Sequence, residues 1–303
     1  MAAGFRALIA LLFVLSFGSA QASGLRKEKC PSRALGRDLP YWIYTPDGYD
    51  QSNLKYPVLY LLHGAGGDEN AWVDHGKIKA LADRMIGMGV MPPSLIVMPG
   101  CRGCWWVDGA KDKAETAFWK DLLPDVGRRY RVIEGRKGRV VAGLSAGGYG
   151  TIRFALKYPD RIAAAAALSP AVYHGVVPKD SSARTQPPFL NSRGEFDASA
   201  WWSQHYTRLS GSYFKQANKV PMYLVSGDDD HFGITFETVT LFKTLFEKQP
   251  GKVELRIVDG DHNWAVWENA IEGAMRYLYR HAAKPIPSGD GKGASRVAAY
   301  YYP

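Results

Sequence analysis

The segment Gly143-Leu-Ser-Ala-Gly147 sets a serine between two glycines. A serine hydroxyl is a poor nucleophile until a neighbouring base takes its proton. The pattern gains weight from its surroundings. The apolar run Arg-Val-Val-Ala-Gly-Leu leads into it and the helix-forming residues 147–157 lead out. At a sharp strand-to-helix turn the central side chain is forced outward, and flanking glycines provide the clearance. Ser145 is therefore the candidate nucleophile, with a helix N-terminus beneath it that favours nearby negative charge.

A serine of this kind needs a histidine base and a carboxylate, which on such a scaffold follow in the order serine, acid, histidine. His262 lies in Val-Asp-Gly-Asp-His-Asn-Trp, just past the last expected strand. Sites in open parallel sheets gather at that end. His205 falls in an irregular stretch and is expected at the surface. His281 closes the last helix, where its charge would favour the dipole. His262 is preferred over these two and over His231. The acid should come from the turn holding Asp228, Asp229 and Asp230, and spacing does not choose among them. His63-Gly64 followed by small residues leaves backbone N–H groups free. Together with the Ala146 N–H, these could hold an oxyanion. His63 itself is read as a structural hydrogen-bonder.

The elements that must position these groups alternate. Short apolar β-branched runs are expected as strands at 40–46, 56–64, 94–100, 138–145, 162–169, 220–227 and 253–260. Several are apolar throughout, as strands buried on both faces are. Helical windows fall at about 70–89, 113–128, 147–157, 235–248 and 264–282. That rhythm implies a mostly parallel sheet with helices on both faces. Residues 170–218 break it and are expected to form an irregular, substrate-facing insertion. Residues 284–303, rich in Pro, Gly and small residues, are expected to be a flexible tail.

The first 22 residues read as a cleaved signal peptide, with one Arg, an apolar run and Ala-Gln-Ala before Ser23. The expected division is a signal peptide at 1–22, an N-terminal extension at 23–37, a catalytic domain at 38–283 and the tail. A secreted or periplasmic location follows, without stable membrane insertion. The net charge of +9 is spread thinly, with no dense basic stripe, so nucleic acid is not an expected partner.

Three cysteines, Cys30, Cys101 and Cys104, allow one disulfide and one leftover thiol in an oxidising compartment. In Gly-Cys-Arg-Gly-Cys-Trp-Trp (100–106), Cys101–Cys104 is the first pairing expected, with a bond from Cys30 to either as the alternative. The stretch follows a strand and does not open a helix, against a thioredoxin-type redox pair. No partner pair supplies the four ligands of structural zinc.

Taken in order, "YLLHGAGGDENAW", "VMPGCRGCWWVDG", "VAGLSAGGYGTIRFALKYPDRI", "GDDDHF" and "GDHNWAVW" resemble the Putative esterase family of α/β-hydrolases. That family includes esterase D (S-formylglutathione hydrolase), feruloyl and acetyl-xylan esterases, and mycolyltransferases. The resemblance spans about residues 38–282 and implies the α/β-hydrolase fold. It implies Asp230 as the acid and the Ala65 and Ala146 backbones as oxyanion donors. It departs from the family in the inserted cysteines and in Val107 where tyrosine is usual. The implied function is a serine carboxylesterase acting through an acyl-enzyme on small acyl or phenolic, feruloyl-type esters, with no metal or organic cofactor. The implied partner is a small-molecule or carbohydrate-linked ester, with Trp105, Trp106 and Trp264 as candidate substrate contacts. An acyltransferase on the same scaffold and a non-catalytic carbohydrate-binding protein are the alternatives.

Overall fold

The computed structural model describes residues 22–110 and 112–289. Residues 1–21 of the expected signal peptide and 290–303 of the expected tail lie outside them. Among the described residues, eight strands form one sheet in the order β1 (Gly24–Ser32), β2 (Arg37–Thr45), β5 (Leu95–Pro99), β4 (Val58–Leu62), β6 (Arg139–Leu144), β7 (Ala164–Leu168), β8 (Met222–Gly227) and β9 (Val253–Val258). The pairs β1–β2 and β2–β5 are antiparallel, and every pair from β5 to β9 is parallel. All seven expected strands are present within a few residues of their expected limits.

Alternation along each strand divides the interior into two cores. Val58, Tyr60 and Leu62 of β4 and Leu95 and Val97 of β5 face one side. There they meet α5 (Ala146–Lys157), α8 (Ile234–Lys248) and the segment from α3 (Ala114–Thr116) through a π-helical turn (Ala117–Leu122) to α4 (Leu123–Arg129). Leu59, Leu61, Ile96 and Met98 face the other side, covered by α2 (Ile78–Gly87) and α9 (Trp264–Tyr279). Burial on both faces is why these strands carry apolar residues at every position.

Four expectations need correction. The helix expected over 70–89 is broken into α1 (Ala71–Asp74) and α2. A Cβ at Gly76 would lie 2.5 Å from the Trp72 ring, and Lys77 has φ 46°. The expected N-terminal extension is largely β1, nine residues paired along β2. The start of the expected tail is ordered, since β10 (Ile286–Pro287) pairs antiparallel with β3 (Leu54–Lys55). The insertion contains α6 (Ala198–Gln204) and α7 (Thr207–Tyr213) and buries Phe189, Trp201, Tyr206 and Tyr213 in the first core. Trp201 stacks on Tyr149 of α5 at 5.3 Å.

Candidate active site

Ser145 closes β6 and precedes α5 with φ 52° and ψ −116°, a backbone conformation that L-residues rarely adopt. The chain holds it there from both sides. The Ser145 N–H donates to Leu168 O at 2.8 Å, and the Tyr149 N–H donates to Ser145 O at 2.9 Å. The flanking glycines are required by close approach. A Cβ at Gly147 would lie 2.6 Å from Leu62 O and His63 O, and one at Gly143 would lie 2.5 Å from the Gly147 carbonyl. Absence of side chains lets β4, the turn and α5 touch backbone to backbone.

His262 Nε2 lies 2.9 Å from Ser145 Oγ, and its Nδ1 lies 2.7 Å from Asp230 Oδ2. The Asp230 side chain is shut off from solvent, and its second oxygen accepts the Phe232 N–H at 3.1 Å. A carboxylate on Nδ1 fixes the imidazole tautomer whose Nε2 is free to accept the serine proton. The neighbouring aspartates are engaged elsewhere or exposed. Asp228 Oδ1 accepts the Gly260 N–H, and Asp229 is exposed. The His262 ring sits between Phe232 and Trp267, which meet it edge-on at 5.1 and 5.0 Å. Asp261 accepts the N–H groups of both His231 and His262, and these bonds pull its pKa down to about 2.

The other expected histidines do different work. His231 pairs with Asp261 at 2.7 Å and lies on the surface. His205 is fully buried, against expectation. Its Nε2 is bonded to Val172 O and its Nδ1 to Thr207 Oγ1, and burial pushes its pKa down to about 4. At the end of α9, His281 is held below its usual pKa by burial and by the cations Arg280 and Lys137. A charge on the helix dipole therefore does not account for it. His174, not singled out by the sequence reading, bridges Glu237 and Tyr206 and ties the insertion to α8.

His63 is buried, and burial keeps it neutral. The Cys101 N–H donates to its Nε2 at 2.9 Å, so the ring proton is on Nδ1 and faces Gly64 O at 2.7 Å. Gly64 packs onto the Ser145 turn, where a Cβ would lie 3.3 Å from that of Ser145. Ala65 therefore follows a residue in contact with the nucleophile turn. Ala146, the first residue of α5, has an N–H with no partner inside the helix. Both alanines line the cleft or border the Ser145 turn.

A cleft of about 700 Å³ opens over these groups, lined by Gly64, Ala65, Ser145 and His262 with Phe232, Trp264 and Trp267 as aromatic walls. The insertion closes one side through Asp180, Ser182 and Gln186, and Asp74 and His75 edge the cleft as well. Trp264 takes the place expected of it. Trp105 and Trp106 do not: both are fully buried and neither lines the cleft. Trp105 packs edge-on against Tyr149, Phe189 and Trp201. Trp267 and Phe232 were missed as lining residues, although each lies within five residues of a triad member. The Cα atoms of Cys101 and Cys104 are 5.5 Å apart, within disulfide range, and Cys30 stands apart as a buried thiol.

A serine hydrogen-bonded to a carboxylate-supported histidine, at the carboxyl ends of parallel strands, defines a serine-hydrolase type of site on an α/β-hydrolase sheet. The chain belongs to the Putative esterase family, whose model matches residues 32–278. It is 34% identical over 142 residues to Esterase Rv1288 of Mycobacterium tuberculosis, covering 45% of this chain and 30% of that protein. The chain thus spans about a third of that curated relative's length. It is 27% identical over 237 residues to an acetyl esterase of Caldicellulosiruptor saccharolyticus, covering 76% of this chain and 85% of the relative. Among solved structures, a ferulic acid esterase superposes with a TM-score of 0.72 at 25% identity, covering 86% of this chain and 98% of its own.

Proposed function

We propose that the protein is an exported serine carboxylesterase and that Ser145, His262 and Asp230 are its nucleophile, base and orienting acid. The continuous path Ser145 Oγ–His262–Asp230, at 2.9 and 2.7 Å on the floor of a cleft, carries this reading. His262 takes the Ser145 proton as Oγ attacks the ester carbonyl, and the Ala65 and Ala146 N–H groups receive the developing oxyanion. The protonated His262 then gives its proton to the leaving alcohol. Water, deprotonated by the same ring, resolves the acyl-enzyme and regenerates Ser145.

The aromatic walls Trp264, Trp267 and Phe232 favour a flat acyl group, so phenolic esters of the feruloyl type are the proposed substrates. The ferulic acid esterase neighbour supports the same class, while the acetyl esterase relative supports carboxylic esters more broadly. Export rests on the first 22 residues and agrees with Cys101 and Cys104 lying at bonding distance, which we take to be a disulfide.

The test is a panel of nitrophenyl esters from acetate to octanoate with methyl ferulate alongside, assayed with and without an acceptor alcohol. Hydrolysis is expected, with methyl ferulate among the better substrates, and Ser145→Ala should abolish it. Full activity in Ser145→Ala would overturn the site. Product accumulating mainly as the transferred ester would replace hydrolase by acyltransferase.

A further inference from the structure

Trp106 leaves the cleft but touches both halves of the site beneath it. Its indole Nε1–H donates to His63 O at 3.0 Å, the last carbonyl before Gly64 and Ala65. Its ring also lies 5.0 Å from that of His63. On the other side it meets α5 at Gly150, where a Cβ would fall 2.5 Å from the Trp106 Cβ. Gly150 is four residues after Ala146, so the two share a helix face. A single side chain thus spans from the strand end that leads to Ala65 to the turn of α5 that follows the one presenting Ala146.

Two further observations show that the position is imposed. Trp106 has φ 59°, in the left-handed region that bulky residues avoid, and it is fully buried. Residues held so persist where their surroundings over-determine them. The loop that carries Trp106 is also tied to His63 from its other end, through the Cys101 N–H on Nε2. Trp105 next to it is equally buried and meets α5 through the Tyr149 ring, but its other partners are Phe189 and Trp201 of the insertion, so it does not bridge α5 to the His63 strand end as Trp106 does.

We propose that Trp106 is a positioning residue that sets the spacing between the Ala65 and Ala146 amides, and hence the fit of the site to a tetrahedral oxyanion. The proposal rests on Ser145 being the nucleophile. Interactions made only with the transition state act on kcat and leave KM in place. Losing one oxyanion donor costs on the order of 10²–10³ in kcat, and a misplaced donor costs part of that.

The experiment compares wild type with Trp106→Phe, which removes the indole donor, and Gly150→Ala, which presses on the indole from the helix side. Trp105→Phe is the control for simple loss of packing. Active sites are counted by fluorophosphonate labelling, so that kcat is expressed per competent site. The affinity of a trifluoromethyl ketone, whose adduct carries the oxyanion, is measured beside KM. Trp106→Phe and Gly150→Ala should each lower kcat per site at least tenfold and weaken the ketone by a similar factor, with KM within twofold of wild type. Trp105→Phe should change the melting temperature without that split. Per-site kcat and ketone affinity within twofold of wild type, in whichever of the two variants folds, overturn the proposal and leave the nucleophile reading standing. Failure of the label to modify Ser145 in wild type overturns both.

Discussion

Asp230 Oδ2 lies 2.7 Å from His262 Nδ1 across the gap between the loops after β8 and β9, while Asp228 accepts the Gly260 N–H and Asp229 is exposed. Three consecutive carboxylates thus have three different fates. Asp230→Asn should lower kcat by a factor on the order of 10³–10⁴ with little change in KM, because the amide favours the wrong imidazole tautomer. Asp229→Asn should match wild type. Asp228→Asn should keep kcat and lose at most about 1 kcal/mol of stability, through a weaker bond to the Gly260 N–H. Steady-state kinetics and urea melts of the three variants check this, and a large kcat loss in Asp229→Asn would move the acid.

The backbone contact at Gly147 gives a second expectation. A methyl there would lie 2.6 Å from the carbonyl oxygens of Leu62, the last residue of β4, and His63, and backbone atoms cannot rotate away. Gly147→Ala should destabilise the fold by about 1–3 kcal/mol, the range for overpacked interiors. Its activity should fall together with the fluorophosphonate-labelled fraction. Wild-type stability in this variant would show that β4 and α5 are less tightly apposed than described.

Acid should weaken the fold through its buried histidines. Burial holds His63 and His205 below the ordinary value of 6.5, His205 at about 4. The unfolded chain binds these protons first, so the stabilising contribution is complete above pH 6.5 and is lost as pH falls toward the folded values. For His205 the difference amounts to about 3 kcal/mol between pH 6.5 and pH 4. Denaturant melts across that range should show it, and His205→Gln should flatten the curve. An unchanged slope in that variant would remove His205 as the cause.

The tryptophans separate packing from substrate contact. Trp105→Ala should cost about 3–5 kcal/mol, as large-to-small changes in a core do, without reordering the substrate panel. Trp264 forms the cleft wall and meets Trp72 and Trp267 edge-on at 5.2 and 5.5 Å. Trp264→Ala should raise KM for methyl ferulate more than for nitrophenyl acetate. Equal changes for the two esters would take Trp264 out of the acyl site.

Thiol chemistry offers a further check. A bond between Cys101 and Cys104 leaves Cys30, which is buried and whose pKa burial and the nearby Asp125 and Asp121 push up to about 11. The native protein should therefore resist iodoacetamide, and the denatured, unreduced protein should take up one equivalent. Reduction should destabilise the fold by about 2 kcal/mol, the entropic value for a short loop. Mass mapping that finds both Cys101 and Cys104 alkylated before reduction would refute the bond.

How far the sequence could be read followed from what each residue faces. The strands β4, β5, β7 and β8 were legible because both faces are buried and apolar residues run through almost every position. β1 was not, because an edge strand exposes Arg26, Lys27 and Lys29 and shows no apolar run. The two short helices of the insertion escaped notice for a related reason. Single large anchors, Trp201 and Tyr213, hold them in place of a repeating stripe. Ser145 and His262 could be placed from local context, whereas Asp230 needed the family resemblance, since its neighbours are chemically identical. Trp105 and Trp106 misled because an aromatic pair beside glycines looks the same whether it turns toward solvent or toward the core. The close approaches at Gly147 and Gly150 explain why glycines recur along α5, but only three-dimensional contact shows what they admit.

The edge-on contact of Trp267 with His262, at 5.0 Å, also makes the proton on that ring optically visible. An imidazolium quenches indole emission far more strongly than a neutral imidazole. The emission lost on acidification should therefore be smaller in Trp267→Phe than in wild type. The difference between the two titrations would report the charge state of His262 directly in the resting protein, without substrate or turnover.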